Sequence, residues 1–191
     1  MGLFQKPVKL DSMPLSWSGQ IVDKPPPRER NFSAYLDIET TSLSPIDGEL
    51  TVIGLYLDNG KTEEFVQLVG DEISAAKLLK ALREVKVLYT YNGSRFDLPY
   101  IEGKLGVNLT ERCAHHDLMY DCWSRNLYGG LKEVERHLGI GRKSAGIDGR
   151  MAVRLWWNYR LYDDEKALLT LLGYNREDVL NLKLLRQKLH V

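Results

Sequence analysis

Apolar residues in the first half of the sequence come in short runs separated by turn-forming residues, a pattern that predicts strands. The first run covers residues 34–39 and leads into a turn rich in Thr, Ser, Pro and Gly, and the second covers residues 50–57. Next, Asp58-Asn59-Gly60 is typical of a tight hairpin, because Asn and Gly tolerate positive φ angles. Residues 62–69 should therefore return antiparallel to the second strand.

Helical spacing begins after residue 70. Within residues 74–85, Leu78, Leu82 and Val85 recur at the period of a helix. The next predicted elements are a strand at 86–91, a helix at 96–105, a last strand at 113–118, and helices at 119–127, 131–138, 147–161, 164–172 and 174–189. This order predicts an α/β fold with a central mixed five-stranded sheet, three antiparallel strands first and then two parallel ones, flanked by helices and with a helical C-terminal part.

Proline sets the first 31 residues apart from the rest. Pro7, Pro14 and the run Lys24-Pro25-Pro26-Pro27-Arg28 favour extended polyproline geometry over helix or central strand. We expect residues 1–31 to form an arm or linker and residues 32–191 to form one folded domain.

The composition is that of an ordinary globular protein. The 191 residues are 43% hydrophobic and carry 26 basic and 26 acidic side chains, which excludes general disorder. No apolar run approaches the ~18 residues of a membrane span, and residues 1–10 lack the apolar core of a signal peptide. The two cysteines, Cys113 and Cys122, are too few for a disulfide framework. We therefore expect a cytoplasmic protein with free thiols.

Two carboxylates lie close together on the first predicted strand. Asp37 and Glu39 are two residues apart, so both side chains point to the same face of the sheet and repel each other. A hard divalent cation such as Mg²⁺ relieves that repulsion. The pattern alone is weak, because Asp47/Glu49 and Asp163/Glu165 also match it. Those two pairs belong to a turn and a helix start, where solvated or capping carboxylates are ordinary.

Two further motifs strengthen the signal. Asn92-Gly93-Ser94-Arg95-Phe96-Asp97 follows an apolar strand directly, and Tyr174 and Asp178 are four residues apart on one helix face. The three pieces in this order have an expected chance frequency of about 0.004 in a chain of this composition. The combination therefore points to one acidic site built from three distant segments.

These residues resemble the three motifs of the DEDDy 3′→5′ exonucleases, which have an RNase H-like (DnaQ-like) fold. The stretches 36–41, 131–140 and 174–179 are most similar to the YprB-like branch. The resemblance covers about residues 33–190 and leaves the arm unexplained. Ser42 departs from it, since relatives usually have Gly after the two threonines, and this difference affects the expected shape of that loop.

The resemblance implies the roles of the acidic residues. Asp37, Glu39, Asp97 and Asp178 would bind two divalent cations, Mg²⁺ or Mn²⁺, in a two-metal-ion mechanism, and Tyr174 would orient the attacking water. In the sister group of exonucleases a His precedes the last Asp by five residues. Gly173 stands at that position here, which favours the tyrosine type.

The same resemblance implies a nucleotide-binding region. Thr40, Thr41 and Leu43 follow the first acidic pair, where relatives hold the terminal nucleotide through backbone contacts and an apolar wedge. Asn92 and Phe96 of the second motif complete this part of the predicted substrate-binding set.

Basic and aromatic residues of the C-terminal part offer further contacts. Arg150 and Arg154 are four apart on one helix and could form a phosphate-contacting stripe with Arg142 and Lys143, and the alternative explanation is a solvated helix face. The pair Trp156-Trp157 could stack a base, but tryptophan in a helix more often packs in the core. We expect one of the two rings to be buried and the other exposed.

Other possible metal ligands are Cys113, His115, His116, Asp117 and Cys122. Their residue types suit zinc, but their spacing does not, since His116 would point away from its neighbours on a strand and no Cys-x-x-Cys pair is present. We expect Asp117 to hydrogen-bond beside the acidic site and His115 to be a packed or surface imidazole.

The leading hypothesis is a metal-dependent 3′→5′ exonuclease that hydrolyses phosphodiester bonds at single-stranded ends of DNA or RNA. Two alternatives remain open: a nuclease of the same fold that cuts internally or at a structured junction, and a non-catalytic nucleic-acid-binding or partner-binding module. A binding module gains nothing from four repulsive carboxylates that face a polyanion, which favours catalysis.

The zero net charge does not contradict a nucleic-acid partner. Residues 1–120 contain 13 basic and 17 acidic side chains, and residues 121–191 contain 13 and 9. The total is therefore a cancellation between an acidic and a basic part. We expect the site to attract phosphate only when it is loaded with cations, so that substrate binding depends strongly on divalent metal and modestly on monovalent salt.

Overall fold

The centre of the protein is a five-stranded mixed sheet. The computed structural model describes residues 30–144 and 146–191, so residues 1–29 of the predicted arm lie outside the described residues. The strands are β1 (Phe32–Thr40), β2 (Leu50–Asp58), β3 (Glu63–Val69), β4 (Val85–Thr90) and β5 (Ala114–Asp117). Their spatial order is β3-β2-β1-β4-β5. The antiparallel pairs β1–β2 and β2–β3 and the parallel pairs β1–β4 and β4–β5 confirm the predicted fold class.

The helices of the described residues follow the predicted order. They are α1 (Ala75–Ala81), α2 (Asp97–Leu105), α3 (Leu118–Ser124), α4 (Leu131–Leu138), α5 (Gly149–Tyr162) and α6 (Glu165–Leu189). Helix α1 is shorter than predicted, because Val85 begins β4 instead of ending the helix. In the described part of the chain, no helix combines the length and the hydropathy needed to cross a bilayer.

The predicted break at Gly173 is wrong. Helix α6 runs without interruption for 25 residues, where two helices over 164–172 and 174–189 were expected. Glycine costs a helix only about 1 kcal/mol relative to alanine and keeps the backbone N–H that the helix needs. Buried Leu171 and Val179 lie on either side of it, so packing against the sheet holds both halves in one helix.

Helices cover both faces of the sheet. Leu36 and Ile38 of β1 pack on the side of α1 and α2, whereas Tyr35 packs on the opposite side with α3, α4 and α6. Because strand side chains alternate between faces, Asp37 and Glu39 share the α6 side with Tyr35. A third cluster, around Trp156 of α5, joins α5 to α6 and β2.

Candidate active site

Three carboxylates meet where the end of β1 passes beneath α6. One oxygen each of Asp37, Glu39 and Asp178 lies within 4.8 Å of the other two. Glu39 and Asp178 are buried, and Asp37 is half-buried. Asp178 reaches the group because α6 packs on the same face of the sheet to which the two β1 side chains point. The fold thus brings three of the four predicted ligands together.

Asp97, the fourth predicted ligand, lies beside this group. It is the first residue of α2, and its carboxylate accepts a hydrogen bond of 3.2 Å from the backbone N–H of Ile38, between the two acids of β1. Burial raises the pKa of Asp97 to about 7, and the charges of Asp117 and Asp178 act in the same direction. All four acids therefore lie near the carboxyl end of β1, at the edge where the parallel strands β1, β4 and β5 end.

Asp117 holds the turn that leads into Asp97. Its carboxylate accepts hydrogen bonds from the backbone N–H groups of Asn92 (2.8 Å) and Ser94 (3.0 Å) and from the hydroxyl of Ser94 (2.6 Å). Asn92 adopts a left-handed conformation with φ of 62°, which asparagine tolerates better than most residues. Asp117 thus hydrogen-bonds beside the acidic site, as predicted, and Asn92 shapes the turn.

Asn175 orients the first aspartate, a contact that sequence reasoning missed. Its side-chain N–H donates to the carboxylate of Asp37 (3.0 Å) and to the backbone oxygen of Asp37 (3.2 Å), while its oxygen accepts a hydrogen bond from Gln67 (2.9 Å). Gly54 of β2 makes room, since a Cβ there would lie 2.2 Å from the Asn175 oxygen. A glycine inside an apolar strand was the available signal, because it indicates a close approach of another element.

The acids raise one another's pKa values. The pKa values of Asp37 and Glu39 both lie well above the usual carboxyl range, chiefly because of burial and then because of the charge of Asp178. Burial also raises the pKa of Asp178, although the nearby Arg142 opposes the effect. In the absence of a cation, ionisation of these three carboxyls therefore lowers the stability of the folded state.

The residues present fit a hard divalent cation. The Oε1 atom of Glu39 is buried without a hydrogen-bond partner, and such an atom costs stability unless a donor or a cation meets it. Every member of the group offers carboxylate oxygen, the ligand type that suits Mg²⁺ and Mn²⁺. The donor set and the unpaired oxygen together indicate a cation site.

Tyr174 lies buried beside the carboxylates. Burial and the charges of Asp178 and Glu39 raise the pKa of its hydroxyl, and the ammonium of Lys132 lies 4.4 Å from the centre of its ring. The phenol therefore remains neutral at physiological pH. It can hydrogen-bond a water molecule but does not act as a phenolate base.

Arg142 lies among the acids and not on an open basic stripe. Its guanidinium forms ion pairs with Glu135 of α4 and with Asp178. The side chain of Glu135 is only 1% exposed. Held between two carboxylates, the partly buried Arg142 neutralises charge within the site, and its Nη1 atom has no hydrogen-bond partner among the described residues. Lys143 is exposed and lines a separate cleft with Arg142, away from the acids of β1.

A cleft of about 570 Å³ opens onto the carboxylates. Its wall includes five of the predicted substrate-binding residues, namely Thr40, Thr41, Leu43, Phe96 and Arg150. Leu43 is 86% exposed in this wall. The volume falls within the range of small-ligand sites, roughly 300–1,000 Å³. Arg154, one helical turn after Arg150, does not line this cleft.

Ser42 does not strain the loop that forms one wall of this cleft. It is not among the described non-glycine residues with positive φ. Its hydroxyl accepts a hydrogen bond of 3.3 Å from the backbone N–H of Ser44, and its backbone oxygen accepts one of 2.8 Å from Thr40. The departure from the glycine of relatives is therefore compatible with a compact loop.

The possible zinc ligands on β5 and α3 make other contacts. The ring of His115 hydrogen-bonds the hydroxyl of Thr90 (2.9 Å), and the ring of His116 hydrogen-bonds Asp121 (2.6 Å). Both cysteines are buried free thiols. His115 is thus a partly buried, packed imidazole, one of the two environments expected for it.

We expect the metal-free protein to lose stability as pH rises from about 5 to about 7.5. Unfolded carboxyls ionise near pH 4, whereas Asp97 titrates at about 7 in the fold and the pKa values of Asp37 and Glu39 are also raised. The folded state therefore holds more protons in this window, and its free energy of unfolding falls as they leave. Thermal melting in EDTA across this range measures the effect.

The Asp97→Asn variant is the control for this pH dependence. The pKa of His115 is lowered by burial, so this ring acts in the opposite direction at the acid end of the window. It does so equally in both proteins, and the difference between them isolates the carboxyl. A wild-type melting temperature that does not fall relative to that of Asp97→Asn between pH 5 and 7.5 would contradict the prediction.

Comparison with known proteins agrees with this architecture. Residues 34–190 match the RNase_H_2 family model, described as RNase_H superfamily. No curated protein matches the chain. The structure is similar to a family B DNA polymerase from the hyperthermophilic archaeon Pyrobaculum calidifontis, with 21% identity, a TM-score of 0.64, and coverage of 83% of this chain and 24% of the polymerase.

Two smaller proteins are also similar. Brucella melitensis NrnC shows 20% identity and a TM-score of 0.54, with coverage of 86% of this chain and 73% of NrnC. A structure described as the apo form of a nuclease shows 19% identity and a TM-score of 0.54, with coverage of 85% and 72%. At these identities the similarities establish the fold, and the chain spans only about a quarter of the polymerase.

Proposed function

Because the chain belongs to the RNase H superfamily, we propose that it is a metal-dependent 3′→5′ exonuclease of the DEDDy type, nearest to the YprB-like branch. It would hydrolyse phosphodiester bonds at single-stranded ends of DNA or RNA. One observation carries the proposal. Asp37, Glu39 and Asp178 converge within 4.8 Å, with one buried oxygen of Glu39 unpaired, beside a nucleotide-sized cleft.

Asp37, Glu39, Asp97 and Asp178 would hold two divalent cations, Mg²⁺ or Mn²⁺. When bound, such ions lower the pKa of a coordinated water and neutralise charge on the phosphate and on the leaving oxygen. The carboxylates contribute by being fixed in place before the substrate arrives, which is the main requirement for electrostatic stabilisation of a transition state.

The chain supplies this fixed arrangement through neighbours of the ligands. Asn175 donates a hydrogen bond to Asp37, the backbone N–H of Ile38 donates to Asp97, and Arg142 forms an ion pair with Asp178. Each contact restricts one carboxylate without occupying all of its oxygen atoms. These positioning contacts fix the orientation of the carboxylates.

The remaining residues handle water and nucleotide. The neutral hydroxyl of Tyr174 would hold the attacking water by a hydrogen bond. Thr41 and Phe96 line the cleft that would receive the terminal nucleotide, and Leu43 at its edge would separate that nucleotide from the next. Arg150 would contact the phosphate backbone.

Digestion of end-labelled oligonucleotides tests the proposal. Purified protein with Mg²⁺ or Mn²⁺ is incubated with single-stranded DNA and RNA of the same sequence. We expect a 3′ label to leave as mononucleotide at the earliest times, and a 5′-labelled strand to shorten in steps of one nucleotide. The ratio of the DNA and RNA rates then defines the preferred substrate.

A substrate with a blocked 3′ end separates the alternatives. Continued cutting of the blocked strand would replace the proposal with an internal or structure-selective nuclease. Binding without cleavage under either metal would replace it with a nucleic-acid-binding module. Label released first from the 5′ end would reverse the proposed polarity.

A further inference from the structure

One face of α5 carries an unusual set of exposed side chains. Arg150, Arg154, Trp157 and Leu161 follow one another at intervals of four, three and four residues, so they form a single stripe along the helix. Trp157 is 38% exposed and Leu161 is 65% exposed, and both arginines are exposed. An outward tryptophan and leucine in line with two arginines is not the composition of an ordinary solvated helix face.

The two arginines of this stripe differ in their surroundings, since the charge of Arg150 acts on the nearby Asp148, whereas Arg154 has no acidic neighbour among the described contacts. Within the described residues, the side chains of Arg150 and Arg154 make no hydrogen bond, ion pair or ring contact. Helix α5 contains no acidic residue, although Asp148 and Asp163 cap its two ends. By contrast, Arg160 on the neighbouring face pairs with Asp71. Arg154 therefore offers positive charge without an ionic partner, and Arg150 adds charge that only Asp148 partly offsets, so the stripe is complementary to a polyanion.

The ring of Trp157 is likewise available. Its neighbour Trp156 is 2% exposed and packs in the core, so the predicted division of the pair into one buried and one exposed ring is confirmed. No aromatic side chain of the described residues stacks on Trp157. An exposed indole beside free arginines is the combination that binds single-stranded nucleic acid, where bases stack on rings and phosphates meet cations.

The stripe starts at the cleft and leads away from it. Arg150 lines the same cleft as Glu39, while Leu161 lies 11 residues further along the helix. At 1.5 Å per residue the stripe is about 16 Å long. At 3.4 Å or more per nucleotide, that length accommodates at most about five nucleotides.

We propose that the α5 stripe, defined as Arg150, Arg154, Trp157 and Leu161, is the track along which a single-stranded substrate leaves the cleft. The inference rests on the proposed function and names the surface that binds the strand beyond its terminal nucleotide. The phosphates lie on Arg150 and Arg154, and one base stacks on Trp157. The enzyme therefore gains affinity with each nucleotide until the stripe is filled.

Binding as a function of strand length tests the track. Fluorescence anisotropy is measured with 5′-fluorescein oligothymidylates of 2 to 12 nucleotides whose 3′-terminal linkages are phosphorothioates, in the presence of Mn²⁺. We expect affinity to rise over the first several nucleotides and then level off. Trp157→Ala should weaken binding of the longer strands by about 5- to 30-fold, and Arg154→Ala should reduce the salt dependence of log K by about 0.7.

Arg112→Glu is the matched control for a charge reversal, Arg154→Glu. Arg112 is also exposed, but it precedes β5. It therefore lies near the amino-terminal ends of the parallel strands, and the site lies at their carboxyl ends. Arg154→Glu should abolish the gain with length, and Arg112→Glu should retain it. Equal length dependence in wild type, Trp157→Ala and Arg154→Glu would overturn the inference, as would a dimer in light scattering that Trp157→Ala converts to monomer.

The digestion assay keeps the two proposals distinguishable. If wild-type protein cleaves oligonucleotides but the stripe variants bind every length as wild type does, the track fails and the nuclease stands. If wild type cleaves nothing but the stripe variants lose the gain in affinity with length, the nuclease fails and the track stands.

Discussion

Asp37→Asn is expected to reduce nuclease activity by roughly 10²- to 10³-fold while the protein stays folded. Removal of one preorganised electrostatic group in an active site commonly costs 10² to 10³ in rate, and Asp37 belongs to the three-carboxylate group that would hold a cation. Asparagine keeps an oxygen that can accept the hydrogen bond from Asn175. Initial rates on a 3′-labelled oligonucleotide measure the loss.

Although Asp37→Asn should reduce activity, it should not destabilise the metal-free protein. Because burial and the neighbouring acids raise the pKa of Asp37, the ionised carboxylate destabilises the metal-free fold at pH 8. Neutralisation should therefore leave the melting temperature in EDTA unchanged or higher, while the stabilisation by added Mn²⁺ is lost. This combination separates a missing ligand from a damaged fold.

Asp163→Asn is the matched control, since Asp163/Glu165 repeats the Asp-x-Glu spacing elsewhere in the chain. Asp163 is exposed with φ of 54° at the end of α5, a conformation that asparagine accepts readily. This variant should keep both activity and the response to Mn²⁺. Asp37→Asn with wild-type activity would remove the acidic group from the mechanism.

The sheet could be predicted because its signals are local. Alternating and apolar runs, the Asp58-Asn59-Gly60 turn and the order of strands and helices all depend on neighbouring residues. The length of α6 could not be read in the same way. Gly173 is a local break signal, and the packing of Leu171 and Val179 that overrides it exists only in the folded protein.

In the candidate site, too, local patterns could be predicted and contacts between distant elements could not. The pairs Asp37/Glu39 and Tyr174/Asp178 could be placed because strand and helix periods put each pair on one face. The role of Arg142 could not be predicted, because its partners Glu135 and Asp178 lie on two other elements. In the sequence alone Arg142 is an ordinary basic residue beside Lys143, and this explains its expected place among the phosphate contacts.

Arg142→Met is expected to destabilise the protein by about 3–5 kcal/mol, because removal of one partner from a buried ion pair leaves uncompensated charge. Here two buried carboxylates, Glu135 and Asp178, lose the same guanidinium. At roughly 2–4 °C per kcal/mol for a domain of this size, the melting temperature should fall by roughly 10 °C. Thermal and urea unfolding in EDTA at pH 8 measure the change.

A second substitution shows whether charge is the cause. Of the two carboxylates that pair with Arg142, Glu135 is the more deeply buried. Glu135→Leu in the Arg142→Met background removes this unpaired carboxylate, so it should restore a large part of the lost stability. Arg112→Met, at an exposed arginine, should change stability by no more than about 0.5 kcal/mol. If Arg142→Met costs as little as Arg112→Met, the guanidinium does not neutralise the site. If the effects of the two substitutions on the free energy of unfolding are additive, lost packing and not unpaired charge explains the destabilisation.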